Sequence, residues 1–119
     1  MPGVKEAIIA LAQSEKVKAG LIWASQTIEI FLGLPEDQKK GAERIIHAFL
    51  NMVSQEVALA KALTRHESWD GIEGHIEKAS IMISSGVGQE AGLHLSRALS
   101  RVTNIAQQSM SLLKERDLL

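Results

Sequence analysis

The sequence lacks cysteine and tyrosine, and its only aromatic side chains are those of Trp23, Phe31, Phe49 and Trp69. The absence of cysteine excludes a disulfide framework, a zinc–thiolate site, an iron–sulfur cluster and a cysteine nucleophile. The 13 basic and 14 acidic residues are dispersed along the 119-residue chain, and few aromatic rings are available to stack on bases. The composition therefore argues against a nucleic-acid partner.

Long apolar runs are missing as well. The longest, residues 7–12 and 21–24, fall far short of the roughly 18–20 residues that span a bilayer. An acidic residue, Glu6, directly precedes the first run, and neither a basic leading segment nor a cleavage site accompanies it. We therefore expect no signal peptide, no membrane partner and a cytoplasmic location.

The sequence has two prolines, Pro2 and Pro35, and each precedes a helical pattern, where proline is favoured at the first position. No alternating apolar and polar run and no hairpin dipeptide predicts a strand. Apolar residues recur instead with helical spacing, which predicts helices over about 3–32, 36–65, 69–84 and 89–116. We expect residues 1–119 to form a single helical-bundle domain.

The apolar positions of each helix recur every four and three residues, which is typical of shallow left-handed helix packing. Because the predicted loops are short, neighbouring helices should be antiparallel. The sequence thus predicts an all-α, up-down-up-down four-helix bundle. The predicted core positions are Val17, Leu21, Ala24, Ile28 and Phe31; Ala42, Ile46, Phe49, Val53, Glu56, Ala60 and Leu63; Trp69, Ile72, Ile76, Ala79 and Ile83; and Ala91, Leu95, Ala98, Val102, Ile105, Ser109 and Leu112. Ile45, Met52, Val57 and Leu59 are expected to widen the core face of the second helix.

The first helix has more apolar surface than one seam accounts for. Near its start the stripe lies on a different face from the later seam, so the helix either kinks or breaks near Ser14 or is continuous with two apolar faces. The third helix is also predicted to be the shortest, which leaves the long helices partly uncovered. A homodimer would cover them, unless the N-terminal piece folds back. The predicted interface residues are Val4, Ile8, Leu11, Ile22, Trp23 and Ile30.

Glu56 is the one carboxylate on a predicted apolar seam, and burying a carboxylate is costly unless it is paired or protonated. One interpretation is a metal or ligand contact, with His75 and His94, which border neighbouring seams, as candidate partners. The other is a structural carboxylate that is paired with Arg97, Arg101 or a histidine, or that lies at the edge of the seam in water. His47 is predicted on the outward polar face of its helix.

Two functional hypotheses follow. The first is a non-enzymatic protein–protein interaction or regulatory module that acts as a homo-oligomer, with another protein as a further partner. It requires no cofactor, because small residues along the seams leave little room for one. The second is a metal- or small-ligand-binding bundle that uses Glu56 with a nearby histidine. The two differ in whether Glu56 and a histidine converge in one enclosed cavity.

Overall fold

Helices account for nearly all of the part of the chain that the computed structural model describes, residues 3–119. The four helices are α1 (Val4–Leu32), α2 (Glu36–Thr64), α3 (Ser68–Ser84) and α4 (Ala91–Glu115), and a short 3₁₀ turn (Gly88–Glu90) leads into α4. No strand occurs in residues 3–119. The prediction of an all-α protein is confirmed, while the role expected of Pro2 lies outside the described residues.

The helices form a closed ring. Each helix contacts the next one along the chain, and α4 returns to contact α1. Within residues 3–119 the diagonal pairs make no close backbone approach, which is the arrangement of an antiparallel four-helix bundle. The molecule measures 55 × 21 × 18 Å. None of the described helices has an apolar stretch long enough to cross a membrane.

The helix ends follow local signals. Pro35 holds φ at −59° immediately before α2, and the acidic Glu36 and Asp37 occupy the first turn, where they complement the positive end of the helix. At the other end of α2, Arg65 adopts a left-handed conformation with φ 55°, and its N–H donates to the Lys61 carbonyl. This cap turns the chain into α3, close to the predicted boundary.

The core confirms the predicted seams of three helices and corrects the fourth. Every predicted core position of α3 and α4 is buried, as is the α1 seam from Val17 to Phe31. In α2, however, the buried line passes through Leu50, Val57 and Thr64. The predicted Phe49 and Glu56 are half-buried, and Leu63 is exposed. Both lines share Ile46, Val53 and Ala60, so the four-three spacing alone does not distinguish them.

α1 is one uninterrupted helix through Ser14, so the break considered there is wrong and the continuous alternative is correct. Its seam continues towards the N-terminus through three small buried residues, Ser14, Ala10 and Ala7. Because these side chains are small, the positions of the large apolar residues do not reveal this part of the seam. Val4 and Leu11 lie beside this line and pack against Leu112 and Leu113 of α4. The start of α1 therefore belongs to the bundle and does not fold back over it.

The short α3 leaves one end of the bundle open. α3 has 17 residues, whereas α1 and α2 have 29 each. A cavity of about 340 Å³ lies at this end, and no α3 residue lines it. Its walls come from α1, from the end of α2 and the loop after it, and from α4: Glu6, Ala10, Thr64, His66, Ile105, Gln108, Ser109 and Leu112.

Replacing Ser14 should stabilise the fold. The Ser14 hydroxyl is buried and has no hydrogen-bond partner among the described residues, so Ser14→Ala removes an unpaired polar group and adds a better helix former. We expect the free energy of unfolding to rise by about 1 kcal/mol in urea denaturation. Ser25→Ala is the matched control, because the Ser25 hydroxyl donates to the Leu21 carbonyl at 3.0 Å. A loss of stability in Ser14→Ala would contradict this account of the core.

Candidate interaction surface

A line of large apolar side chains runs along the outside of α2. Ile45, Met52 and Leu59 follow one another at intervals of seven residues, and Leu63 extends the line by one further turn. Seven residues complete nearly two turns of an α-helix, so these side chains lie on one side of α2. All four are exposed. The line therefore carries apolar surface that the monomer does not bury.

A second line lies on α1. Lys16, Trp23 and Ile30 are also spaced by seven residues and share one side of α1. The Lys16 ammonium lies 3.1 Å from the carboxylate of Glu56 on α2, which places this side of α1 along the edge of α2. Trp23 and Ile30 are strongly exposed. Because they share one side of α1 with Lys16, they lie on the same side of the bundle as the α2 line.

These two lines form a single surface, which we call the α1–α2 face. It consists of six side chains, Trp23, Ile30, Ile45, Met52, Leu59 and Leu63, and between 46% and 69% of each residue is exposed. Phe49, half-buried on the same edge of α2, packs against the core beneath it. The surface thus runs along the two longest helices.

A polar cluster interrupts the α1–α2 face at Glu56. The Gln13 side-chain amide donates to the Glu56 carboxylate at 3.2 Å and to the Glu56 backbone carbonyl at 3.1 Å. The hydrogen bond from Gln13 and then that from Lys16 hold the pKa of the Glu56 carboxyl below its usual range. At 32% side-chain exposure, Glu56 is an ionised carboxylate at the edge of the seam. Its charged partner is Lys16, so the pairing with Arg97, Arg101 or a histidine is wrong, whereas the alternative position at the edge of the seam is correct.

The structure separates the six predicted interface residues into three groups. Trp23 and Ile30 lie on the α1–α2 face. Ile8 and Ile22 are exposed too, but Ile22 lies about 100° around the helix from Trp23, outside that face. The remaining pair, Val4 and Leu11, is partly buried against α4 within the monomer, as described above.

The α2 line was missed as a surface by sequence reasoning, which assigned its residues to the core. The signal was present, since a seven-residue repeat beside a buried seam describes a second stripe on the same helix. Ile45 and Met52 are too far around the helix from Leu50 to share its seam. The buried seam passes through Leu50 in place of the predicted Phe49, one residue further along the chain, so Ile45 and Met52 point outwards.

The candidate ligand residues do not converge. Glu56 lies between α1 and α2, whereas His75 and His94 face each other between α3 and α4, with ring centroids 6.3 Å apart. Among residues 3–119 no group of three or more metal-ligating side chains is close enough to hold an ion.

His47 occupies a different position from the predicted one. Its Nδ1 lies 2.7 Å from the Ser80 hydroxyl and its Nε2 lies 3.0 Å from the Ser84 hydroxyl. The ring is therefore half-buried between α2 and α3, and the expectation that it points outwards is wrong. The small serine side chains of α3 leave room for the ring on this side of α2.

Comparison of the chain with protein-family models, with curated proteins and with solved structures found no match. The functional argument therefore depends on the residues and geometry of this chain.

The Glu56 cluster predicts a pH-dependent contribution to stability. Because the folded pKa of Glu56 lies below its ordinary value of 4.5, the contribution is present above about pH 4.5 and is lost as the pH falls through the folded pKa. We expect Glu56→Gln to be less stable than the parent at pH 7 and the gap to narrow in strong acid, measured by urea denaturation across pH. Glu15→Gln, which breaks a pair with Lys18 inside one helix, should show a smaller gap. Parallel pH profiles for the parent and Glu56→Gln would contradict the prediction.

Proposed function

We propose that this protein is a non-enzymatic interaction module that acts as a homodimer through the α1–α2 face. The observation that carries the proposal is the pair of exposed apolar lines on neighbouring long helices. Exposed apolar surface of this extent marks interaction sites on proteins. The experiment that tests it is a measurement of oligomeric state.

The absence of charge along α2 supports an interface. Between residues 45 and 60 the only aspartate, glutamate, lysine or arginine is Glu56, and Lys16 neutralises it. Exposed helix faces normally carry many charges, while the centres of interfaces are depleted of them. Ala48, Gln55 and Ala62, which are exposed at the outermost positions of α2, are uncharged as well. The small alanines would let a second helix approach closely.

The available area suits a standard interface. The chain exposes 7117 Å², whereas a compact monomer of 13.0 kDa is expected to expose about 6,300 Å². At roughly 200 Å² for a fully exposed large side chain, the six residues of the α1–α2 face present about 700 Å². Each partner in a standard interface contributes roughly 800 Å². One contact through this face is therefore of the right size for a stable dimer.

A second copy of the chain fits this face better than a partner of one charge sign. A twofold interface brings the same patch of each subunit together, so the patch must be self-complementary. The α1–α2 face is apolar on both sides of one neutral Lys16–Glu56 pair, and self-association brings no unbalanced charge into the contact. Two long antiparallel helices can pack on their counterparts as they pack within the bundle.

The geometry gives no matching support to a metal- or small-ligand-binding bundle that uses Glu56. That hypothesis needs the carboxylate and a histidine in one enclosed cavity. Glu56 is held by Gln13 and Lys16 at the surface of the α1–α2 pair, and His75 faces α4.

Sedimentation equilibrium tests the dimer. We expect the apparent molecular mass of the parent protein at micromolar concentration to be twice the 13.0 kDa mass of one chain. Met52→Glu, which places a charge in the apolar face, should weaken dimerisation at least tenfold while helicity by circular dichroism is retained. The matched control is Leu93→Glu, because Leu93 is 55% exposed on α4, outside the proposed interface.

Two outcomes would overturn the proposal. A parent protein that stays monomeric at micromolar concentration would leave the face to a different partner. A dimer that survives Met52→Glu but dissociates in Leu93→Glu would place the contact on α4.

A further inference from the structure

The charges of α3 are separated between its two edges. Asp70 forms an ion pair with Lys61 of α2, and Glu73 and Glu77 line a groove that they share with α2. The carboxylates of α3 thus lie on the α2 side. His75 lies against α4, and the positive charge of Lys78 acts on it. The edge of α3 next to α4 is therefore basic.

The facing part of α4 is basic as well. From Ala91 to Arg101 the sequence contains His94, Arg97 and Arg101 and no acidic residue. The rings of His75 and His94 are 6.3 Å apart, with planes inclined by 26°. The Arg101 guanidinium lies directly over Gly71 of α3, where a Cβ atom would be 2.7 Å from its Nη1. Glycine at this position lets the arginine lie across the helix.

The five basic side chains of this edge have no acidic partner. We call His75, Lys78, His94, Arg97 and Arg101 the α3–α4 basic cluster. Across the described residues, no carboxylate lies within ion-pair distance of any of them. Burial lowers the pKa of His75, and the charges of Arg101, Lys78, His94 and Arg97 lower it further. The permanent cations of the cluster are Lys78, Arg97 and Arg101, and cations without counter-charges favour an anion beside them.

The two histidines present donors to such an anion. The Nδ1 atoms of His75 and His94 are buried without a partner among the described residues, so a hydrogen bond from either ring to an external ligand must come from Nε2. A neutral imidazole with its hydrogen on Nε2 donates a hydrogen bond outwards. An imidazolium, with hydrogens on both nitrogens, also contributes a positive charge. Arginine adds the planar, multidentate donor geometry that matches phosphate oxygens.

We propose that the α3–α4 basic cluster binds a phosphorylated small molecule through its phosphate groups. Along α4 the cluster runs from His94 to Arg101, which are seven positions apart, or about 10 Å. That length suits a compact phosphate group and is short for the extended phosphate track of a nucleic acid. The surrounding positive charge also disfavours a metal cation between the two histidines.

Calorimetric titration with inorganic pyrophosphate, at constant ionic strength and pH 7, tests the site. We expect saturable binding that weakens at least tenfold in Arg97→Gln and in Arg101→Gln. Arg44→Gln, an exposed arginine on α2, should bind as the parent does. A parallel titration with a nucleoside diphosphate identifies the kind of ligand. A site for nucleotides should bind the nucleoside diphosphate more tightly than pyrophosphate, whereas a site for inorganic phosphates should bind both equally. Both outcomes support the proposal.

Protonation gives a second readout. An anion beside His75 opposes the effect of Lys78, His94, Arg97 and Arg101, so pyrophosphate should raise the pKa of His75 in an NMR titration. No saturable binding, equal binding by the parent and both arginine variants, or tighter binding of a labelled oligonucleotide or acidic peptide than of pyrophosphate would overturn the proposal. Met52→Glu should leave pyrophosphate binding unchanged, which separates this test from that of the dimer.

Discussion

Each helix of a four-helix bundle buries only the part of its circumference that faces the interior and its two neighbours, and this limit shapes the whole molecule. Each helix has one buried line of small and branched side chains at four-three spacing. α1 carries a further apolar line through Trp23 and Ile30, and α2 carries one through Ile45, Met52 and Leu59. The ring has no place for these lines, so they meet as one surface along the two longest helices. The proposed dimer is the consequence of this geometry.

The polar groups on two opposite sides of the bundle differ in their charge balance. Between α1 and α2, Gln13 and Lys16 hold one carboxylate at the edge of an otherwise apolar surface. Such a cluster fixes the relative position of two helices without leaving net charge in the face. Between α3 and α4 the balance is absent, because the carboxylates of α3 lie towards α2. The same small fold thus presents a neutral apolar side and a basic side.

The sequence predicted the architecture because helical periodicity and short loops restrict the choices severely. It was less informative where small residues, or residues common to two possible seams, decide how a helix is rotated about its axis. Ser14 continues the α1 seam, although the shift of the large apolar residues to another face suggested a break there. The α2 seam runs through Leu50 instead of Phe49, and spacing alone did not show this because the predicted and observed lines share Ile46, Val53 and Ala60. The pairing of Glu56 with Lys16 depends on which turns of α1 and α2 lie at the same height, and spacing within one helix carries no such information. Contacts between residues of different helices therefore had to come from the structure.

The fluorescence of Trp23 tests the central claim most directly. Trp69 is fully buried, whereas Trp23 is 59% exposed in the isolated chain and lies in the α1–α2 face, so a soluble quencher reports chiefly on Trp23. If this face is the dimer contact, quenching by acrylamide is weak at high protein concentration and increases on dilution as the subunits separate. Strong quenching at every concentration, including those at which the protein is dimeric, would show that the face stays open and would contradict the account.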